Sequence, residues 1–161
     1  MAQRHPSLIA LSHDHHHGLA LALRLRQGQR ALLTDGWTHD RREQARRTAD
    51  FFDDELAPHF AAEERALFPV LRAGVPVASP LIDRLIGEHR AMEQARASLA
   101  YPPEDPGELL TRFGELLERH IRAEERELFP LFERHCAAID AAAVGKAIDD
   151  VVREVKARTR G

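Results

Sequence analysis

The segments HFAAEERALFPVL, residues 59–71, and HIRAEERELFPLF, residues 120–132, repeat each other with few changes. They match at most positions without a gap, so chance is a poor explanation. Each segment places a histidine four residues before a glutamate, and on an α-helix this spacing puts both side chains on one face, one turn apart. The repeat therefore predicts two equivalent helices whose histidine and glutamate reach a common centre.

A looser repeat accompanies the first one. Asp14-His15 and Glu88-His89 are both acid–histidine pairs, and each begins three residues after a leucine. Each half of the chain thus supplies one helix with an acid–histidine pair and one helix with His-x-x-x-Glu. Two such helical hairpins packed together form a four-helix bundle with an approximate two-fold axis. We predict an all-α, up-down-up-down four-helix bundle.

Helix boundaries follow from polar caps and from the positions of proline and glycine. We expect bundle helices at about 7–33, 38–72, 79–99 and 105–134, and an extra short C-terminal helix at about 140–158 that lies against the bundle. Ser79, followed by Pro80, and Asp105, followed by Glu108, are predicted to cap the third and fourth helices. Local kinks are predicted at Pro58, Pro69 and Pro130, since proline removes a backbone hydrogen bond.

Composition limits the kinds of partner. The 161 residues fit a single domain, 1–161, with the bundle at about 7–134. A net charge of -3 argues against nucleic acid as a partner. No apolar run approaches the roughly 20 residues that cross a bilayer, and the N-terminus is unlike a signal peptide, so we expect a cytoplasmic protein without a membrane partner. The sequence leaves the oligomeric state open, a homodimer included.

Histidine and glutamate occupy positions that otherwise belong to the core. On the fourth helix, Phe113, Leu117, His120, Glu124 and Leu128 form one continuous stripe. A single His-x-x-x-Glu is more often a surface contact than a metal site, but two buried carboxylates that face each other call for a cation. With one cysteine in the chain, the ligands must be nitrogen and oxygen, and this combination suits iron, manganese or zinc.

The candidate metal ligands come from all four helices. They are His15 or His16, His59, Glu63, His89, Glu93, His120 and Glu124. Which of the two neighbouring histidines points inward stays open, because His15 matches His89 in the repeat while His16 continues the spacing from Ile9 towards Leu19.

From about Leu8 to Phe132, these residues resemble the haemerythrin-like HHE cation-binding family. The two His-x-x-x-Glu-Glu-x-x-Leu-Phe-Pro segments are the most specific part of the likeness, and they look especially like those of the bacterial di-iron proteins that repair iron–sulfur clusters. The resemblance implies two iron ions with the following ligands: Glu63 and Glu124 bridging both, His15 (or His16) and His59 on one, and His89 and His120 on the other.

Glu93 departs from the oxygen-carrying members of that family, which have a second histidine at this position of the third helix. Three roles are open to Glu93: it replaces that ligand with a carboxylate, accepts a hydrogen bond from a ligand, or leaves the position to water. Fewer histidines and more carboxylate favour ferric iron, which argues against simple reversible oxygen carriage.

The leading functional hypothesis is a non-haem di-iron protein that binds or senses a small diatomic ligand, oxygen or nitric oxide, or handles iron. The alternative is a di-iron enzyme that reduces peroxide or oxygen or acts in cluster repair, although typical repair proteins also carry a cysteine-bearing N-terminal domain that these residues do not contain. A third hypothesis is a metal-free helical interaction module. We expect a binding or sensing protein rather than an enzyme.

Overall fold

The computed structural model describes residues 4–27 and 36–159, and helices account for most of them. After a 3₁₀ turn at Pro6–Leu8, the helices are α1 (Ile9–Gln27), α2 (41–74), α3 (Ser79–Ala100), α4 (107–134) and α5 (Ala141–Thr159). These two ranges contain no strand, so the predicted all-α bundle with an extra C-terminal helix is confirmed. The predicted end of the first helix, near Leu33, lies outside the described residues.

Helices α2 and α4 contain turns of π-helix within an otherwise α-helical run. In α2 the order is Arg41–Phe51 (α), Phe52–Leu56 (π), Ala57–Ala62 (α), Glu63–Leu67 (π) and Phe68–Gly74 (α). In α4 the order is Gly107–Ala123 (α), Glu124–Leu128 (π) and Phe129–Arg134 (α). The internal repeat of the sequence thus reappears as a repeat of backbone conformation.

Each π turn comes just before a proline. The N–H of Ala57 donates to the carbonyl of Phe52, five residues back, and Pro58, which has no N–H, follows directly. The same arrangement precedes Pro69 and Pro130. Where the sequence predicts kinks, the structure therefore shows π turns, which shift the hydrogen-bond register at the residue that cannot donate. Two of these turns begin at the candidate ligands Glu63 and Glu124.

Of the two predicted caps, Asp105 binds the first turn of its helix and Ser79 does not, whereas the cap at Asp40 was not predicted. Asp40 accepts hydrogen bonds from the backbone N–H groups of Arg42 (2.9 Å) and Glu43 (3.2 Å) at the start of α2. The Asp105 carboxylate accepts from the N–H of Gly107 at 3.0 Å. The prediction that Ser79 caps α3 is wrong, because a 3₁₀ turn at Pro76–Ala78 runs directly into the helix and Ser79 already has helical backbone angles.

The bundle interior consists of two apolar clusters, one towards each end. Helix α1 packs most extensively against α4, and α3 packs against both α2 and α4. The largest side chains of the first cluster are Phe68, Phe129 and Phe132. Those of the second are Phe52, Phe60 and Phe113. Every bundle helix contributes to both clusters, so a layer of polar side chains between them lies at mid-height.

Helix α5 covers the first apolar cluster. Its buried residues Val144, Ile148 and Val151 belong to that cluster, and the helix packs against the middle of α2 and the N-terminal 3₁₀ turn. An extra C-terminal helix in this place is what the sequence predicts. Within the described ranges, no helix combines the length and apolar character needed to cross a membrane.

Glycine permits the close approach of α1 to α4. A Cβ atom added at Gly114 would lie 3.0 Å from the carbonyl oxygen of Ala22 and 3.0 Å from the Cβ atom of Leu25, whereas one at Gly87 would meet nothing within 4 Å. We expect Gly114→Ala to lower the free energy of unfolding by about 1–3 kcal/mol, since neighbouring backbone must move. The matched change Gly87→Ala should raise it by up to about 1 kcal/mol through helix propensity. Chemical denaturation of both variants measures this difference, and equal stabilities would contradict the close packing.

Candidate metal centre

One histidine from each bundle helix turns into the layer between the two apolar clusters. These are His15 from α1, His59 from α2, His89 from α3 and His120 from α4, and no more than 3% of any of them is exposed. Glu63 and Glu124, one turn beyond the histidines of α2 and α4, are fully buried. Buried charges at this depth need compensating partners.

Glu63 lies between two histidines that come from different helices. Its Oε1 atom is 3.1 Å from Nε2 of His59, one turn earlier on α2, and its Oε2 atom is 3.3 Å from Nε2 of His89 on α3. A single carboxylate therefore joins the α2 and α3 sides of the layer.

Glu124 holds the equivalent place in the second repeat. Its Oε1 atom lies 3.1 Å from Nε2 of His120, and its Oε2 atom lies 3.0 Å from Nε2 of His15. The Nε2 atoms also face one another in pairs, with 3.1 Å between those of His15 and His59 and 3.1 Å between those of His89 and His120.

The six side chains form two overlapping groups, in each of which the ligand atoms lie within 4.8 Å of one another. We call them the α1–α2 half-site (His15, His59, Glu63 and Glu124) and the α3–α4 half-site (His89, His120, Glu63 and Glu124). Each half-site offers two imidazole nitrogens and two carboxylate oxygens, and both glutamates belong to both half-sites.

A second layer of carboxylates holds the outer nitrogen of every imidazole. The Nδ1 contacts are His15 to Glu125 at 2.7 Å, His59 to Asp14 at 3.1 Å, His89 to Glu64 at 2.7 Å and His120 to Glu88 at 2.9 Å. Each contact joins two different helices. Partners of this kind fix the orientation and tautomer of metal-binding histidines.

These four outer carboxylates are not among the candidates predicted from the sequence, although the repeat contains the signal for them. Glu64 and Glu125 are the second glutamates of the two His-x-x-x-Glu-Glu segments, and Asp14 and Glu88 directly precede inward histidines. Their roles depend on neighbouring helices, because each carboxylate binds the histidine of another helix.

The donor atoms fit a cation. A carboxylate at Nδ1 keeps a proton there, which leaves the Nε2 lone pair directed at the centre. Among the described residues, all four oxygens of Glu63 and Glu124 are buried without a hydrogen bond of acceptable geometry, although the Nε2 atoms are close. Protons on two nitrogens only 3.1 Å apart would repel each other, whereas a cation bound by both nitrogens and by the carboxylates would satisfy every group.

The pKa values of the buried histidines in the metal-free protein also indicate a site that favours positive charge. Burial by itself lowers the pKa of His120, but the carboxylates of Glu124, Glu88 and Glu63 together more than offset this and raise it to about 10. At His59, burial again lowers the pKa. The carboxylates around it, chiefly Glu63 and Asp14, more than offset this and raise the pKa well above its ordinary value. The cluster thus has a strong affinity for positive charge, whether protons or metal ions supply it.

Three of the outer carboxylates are themselves bound by basic or hydroxyl side chains. Glu125 accepts from the Ser12 hydroxyl at 2.6 Å and forms an ion pair with Arg4. Glu64 pairs with Arg90, and Glu88 lies 3.3 Å from Nε of Arg119. Burial raises the pKa of Glu125, but the hydrogen bonds from His15 and Ser12 and the positive charges of His15 and Arg4 together outweigh it, and the pKa falls to about 2. Glu125 is therefore an anion that holds His15 in a fixed orientation.

Two of the sequence-derived candidates lie away from the cluster. His15 is the inward histidine of its helix, and the neighbouring His16 is exposed. The Glu93 side chain is 46% exposed and pairs with Arg90, 2.9 Å away. The buried residue on this part of α3 is Met92. The structure therefore brings together six of the eight candidate residues and leaves His16 and Glu93 on the surface.

The two half-sites have different surroundings. In the α3–α4 half-site, the Phe60 ring stacks on His89 with 3.8 Å between ring centroids. Beside the α1–α2 half-site there is a small cavity, with about 10 Å³ accessible to the centre of a water-sized molecule, which is room for about one water. The cavity is lined by the site residues Asp14, His15, His59 and His120, by Glu55, and by the apolar side chains Phe51, Leu56, Phe60, Leu117 and Ile121.

We expect Glu125→Gln to weaken metal binding in the α1–α2 half-site by about 10–100-fold, the usual effect of losing an outer partner of a histidine ligand. The α3–α4 half-site should keep its affinity. Competition with a chelator of known affinity measures both. The matched control is Glu118→Gln on the same helix, since Glu118 pairs with Arg26 and Arg122 on the surface. Equal affinities in the two variants would show that Glu125 does not support His15.

Comparison with known proteins agrees with this geometry. A family model described as the Hemerythrin HHE cation binding domain matches residues 7–132, which include α1 to α3, all but the last two residues of α4, and all six clustered residues. No curated protein and no solved structure matches the chain at a significant level. Because the family model covers most of the chain, the protein belongs to the haemerythrin HHE cation-binding domain family.

Proposed function

We propose that this protein binds two iron ions, one in each half-site, and uses them to bind or sense a small diatomic ligand, oxygen or nitric oxide. The observation that carries the proposal is that Glu63 and Glu124 each reach histidines of both half-sites. A carboxylate shared in this way would bridge two cations. A single cation would leave one of its two oxygens without a partner. Mixed imidazole and carboxylate donors suit iron, and also admit manganese or zinc.

Size and position favour a diatomic ligand. Four protein donors per ion leave positions open on iron, which commonly takes more than four ligands. The cavity beside His15 and His59 has room for about one small molecule, and its Leu56, Phe60 and Ile121 side chains favour an uncharged ligand. Phe60 covers His89 on the other side with 3.8 Å between ring centroids, whereas Phe129 stacks on His15 at a longer 5.3 Å. The ligand therefore binds at the α1–α2 half-site.

The outer carboxylates favour sensing over reversible carriage. Asp14, Glu64, Glu88 and Glu125 place four acidic groups around two cations. Surrounding negative charge stabilises the more highly charged ferric state. Glu93 lies on the surface and adds no charge to the site, so the outer carboxylates take the place that the sequence suggested for it.

The proposal is tested by anaerobic reconstitution with ferrous iron, followed by exposure to oxygen and, separately, to nitric oxide. The expected result is two irons per chain and a ligand-dependent di-iron signature in optical and Mössbauer spectra. Iron bound at one per chain, or iron spectra that neither gas changes, would rule the proposal out.

Because the chain has a single cysteine, we also propose that it works in the reducing cytoplasm.

An enzyme that reduces peroxide or oxygen is the second candidate. The observation in its favour is that Glu55 lines the same cavity as His15 and His59 and is 36% exposed, so it would relay protons from solvent to such a reduction. Catalytic turnover of peroxide by the iron-loaded protein, lost in Glu63→Ala, would establish the enzyme. Stoichiometric binding of the gas without turnover would establish the sensor.

A further inference from the structure

We propose that His13 and His17 form a second metal site, separate from the buried centre, on the outer face of α1. The site takes a late divalent transition ion such as Zn²⁺, Ni²⁺ or Cu²⁺. Both side chains are exposed, and they are one helical turn apart on the same face. His15, which lies between them in sequence, points the opposite way into the bundle.

The geometry of the pair matches that of the histidine pairs in the buried centre. The ring centroids of His13 and His17 are 5.0 Å apart, with 74° between the ring planes. The corresponding values are 4.9 Å and 56° for His15 with His59, and 4.7 Å and 60° for His89 with His120. Two imidazoles four residues apart on a helix face are a recurrent way to bind zinc. The rings therefore lie close enough together for one ion to reach both after small rotations of the exposed side chains.

Other contacts do not occupy this pair. Apart from the contact between their rings, neither His13 nor His17 has a hydrogen-bond or ion-pair partner among the described residues. His13 also lines a surface groove with the carboxylates of Asp14 and Asp149. The free ring nitrogens and nearby negative charge both favour a cation.

The chemistry of this site differs from that of the buried one. Exposed imidazoles without bridging carboxylates follow the usual order of affinity, in which copper, nickel and zinc bind more tightly than ferrous iron. The buried half-sites add two charged oxygens each, which suit iron. The two sites share no ligand, so both can be filled at once, and the iron content shows whether zinc stays out of the buried half-sites.

The test is calorimetric titration of untagged, iron-loaded protein with Zn²⁺, with the iron content measured before and after. We expect one zinc per chain and no loss of iron. His13→Gln and His17→Gln should each weaken zinc binding by about 100-fold, because joining two ligands in one chelate typically adds 10²–10⁴-fold in affinity. The matched control His39→Gln replaces another exposed histidine and should leave zinc binding unchanged.

Zinc X-ray absorption provides an independent check, since it should show two imidazole nitrogens at about 2.0–2.1 Å. Both substitutions are on the surface, so melting curves should stay close to that of the unaltered protein. The inference is overturned if no zinc binds to the iron-loaded protein, or if zinc binds equally well to His13→Gln, His17→Gln and His39→Gln. Neither outcome bears on iron binding in the bundle, which the iron content reports separately.

Discussion

Replacing either buried glutamate with glutamine should remove both metal ions, not one. Glu63 and Glu124 belong to both half-sites, so either change takes a negative charge from each ion. Loss of one partner in a buried charged pair costs about 3–5 kcal/mol, which corresponds to a weakening of about 100-fold or more at each ion. Metal analysis after desalting should give two ions per chain for the unaltered protein and close to none for Glu63→Gln or Glu124→Gln.

Three further variants make this result specific. His59→Gln affects the α1–α2 half-site alone and should leave one ion per chain. Glu93→Gln and His16→Gln change exposed side chains and should leave both ions in place. If Glu63→Gln keeps one ion at full affinity, Glu63 serves a single ion and the bridging role is wrong.

Metal binding should also raise thermal stability strongly. The half-sites draw ligands from all four bundle helices, so they exist only in the folded chain, and binding shifts the unfolding equilibrium. Free metal at about 1,000 times the dissociation constant adds about 4 kcal/mol per site. For a chain of this size each kcal/mol raises Tm by about 2–4 °C. Anaerobic addition of ferrous iron should therefore raise Tm by on the order of 10 °C or more in a scanning calorimeter.

A chelator that removes the iron should reverse the increase, and Glu124→Gln should show little of it. Glu118→Gln is the control, because it alters a surface glutamate on the same helix and should keep the full increase. A metal-free helical module, the third hypothesis from the sequence, predicts the same Tm with iron and with chelator. An equal Tm with iron and with chelator would contradict metal binding by the bundle.

The choice between His15 and His16 shows where sequence reasoning reached its limit. Consecutive residues on a helix differ in direction by about 100°, and the leucine spacing of this segment is compatible with either histidine. Packing of α1 against α4 fixes the rotation of the helix, with Gly18 and Gly114 at the contact. That rotation turns His15 towards His59 and leaves His16 exposed.

Glu93 shows a similar limit for a different reason. Its position one turn after His89 allows it to face inward, and the sequence leaves three roles open. In the structure the interior already contains the charges of Glu63 and Glu124, while Arg90 offers Glu93 an exposed partner. Burying a third carboxylate would cost more than this surface contact, so Met92 fills the core on that part of α3.

The sequence by itself determined the helical fold, the pairing of two similar hairpins, and five of the residues that meet at mid-height, namely His59, Glu63, His89, His120 and Glu124. It could do so because helical periodicity and an internal repeat are local patterns that need no knowledge of neighbouring helices. Tertiary structure alone decided the rotation of each helix, the carboxylate behind each imidazole, and the difference between the two half-sites. These features arise from contacts between residues far apart in the chain, and such contacts exist only once the helices have packed.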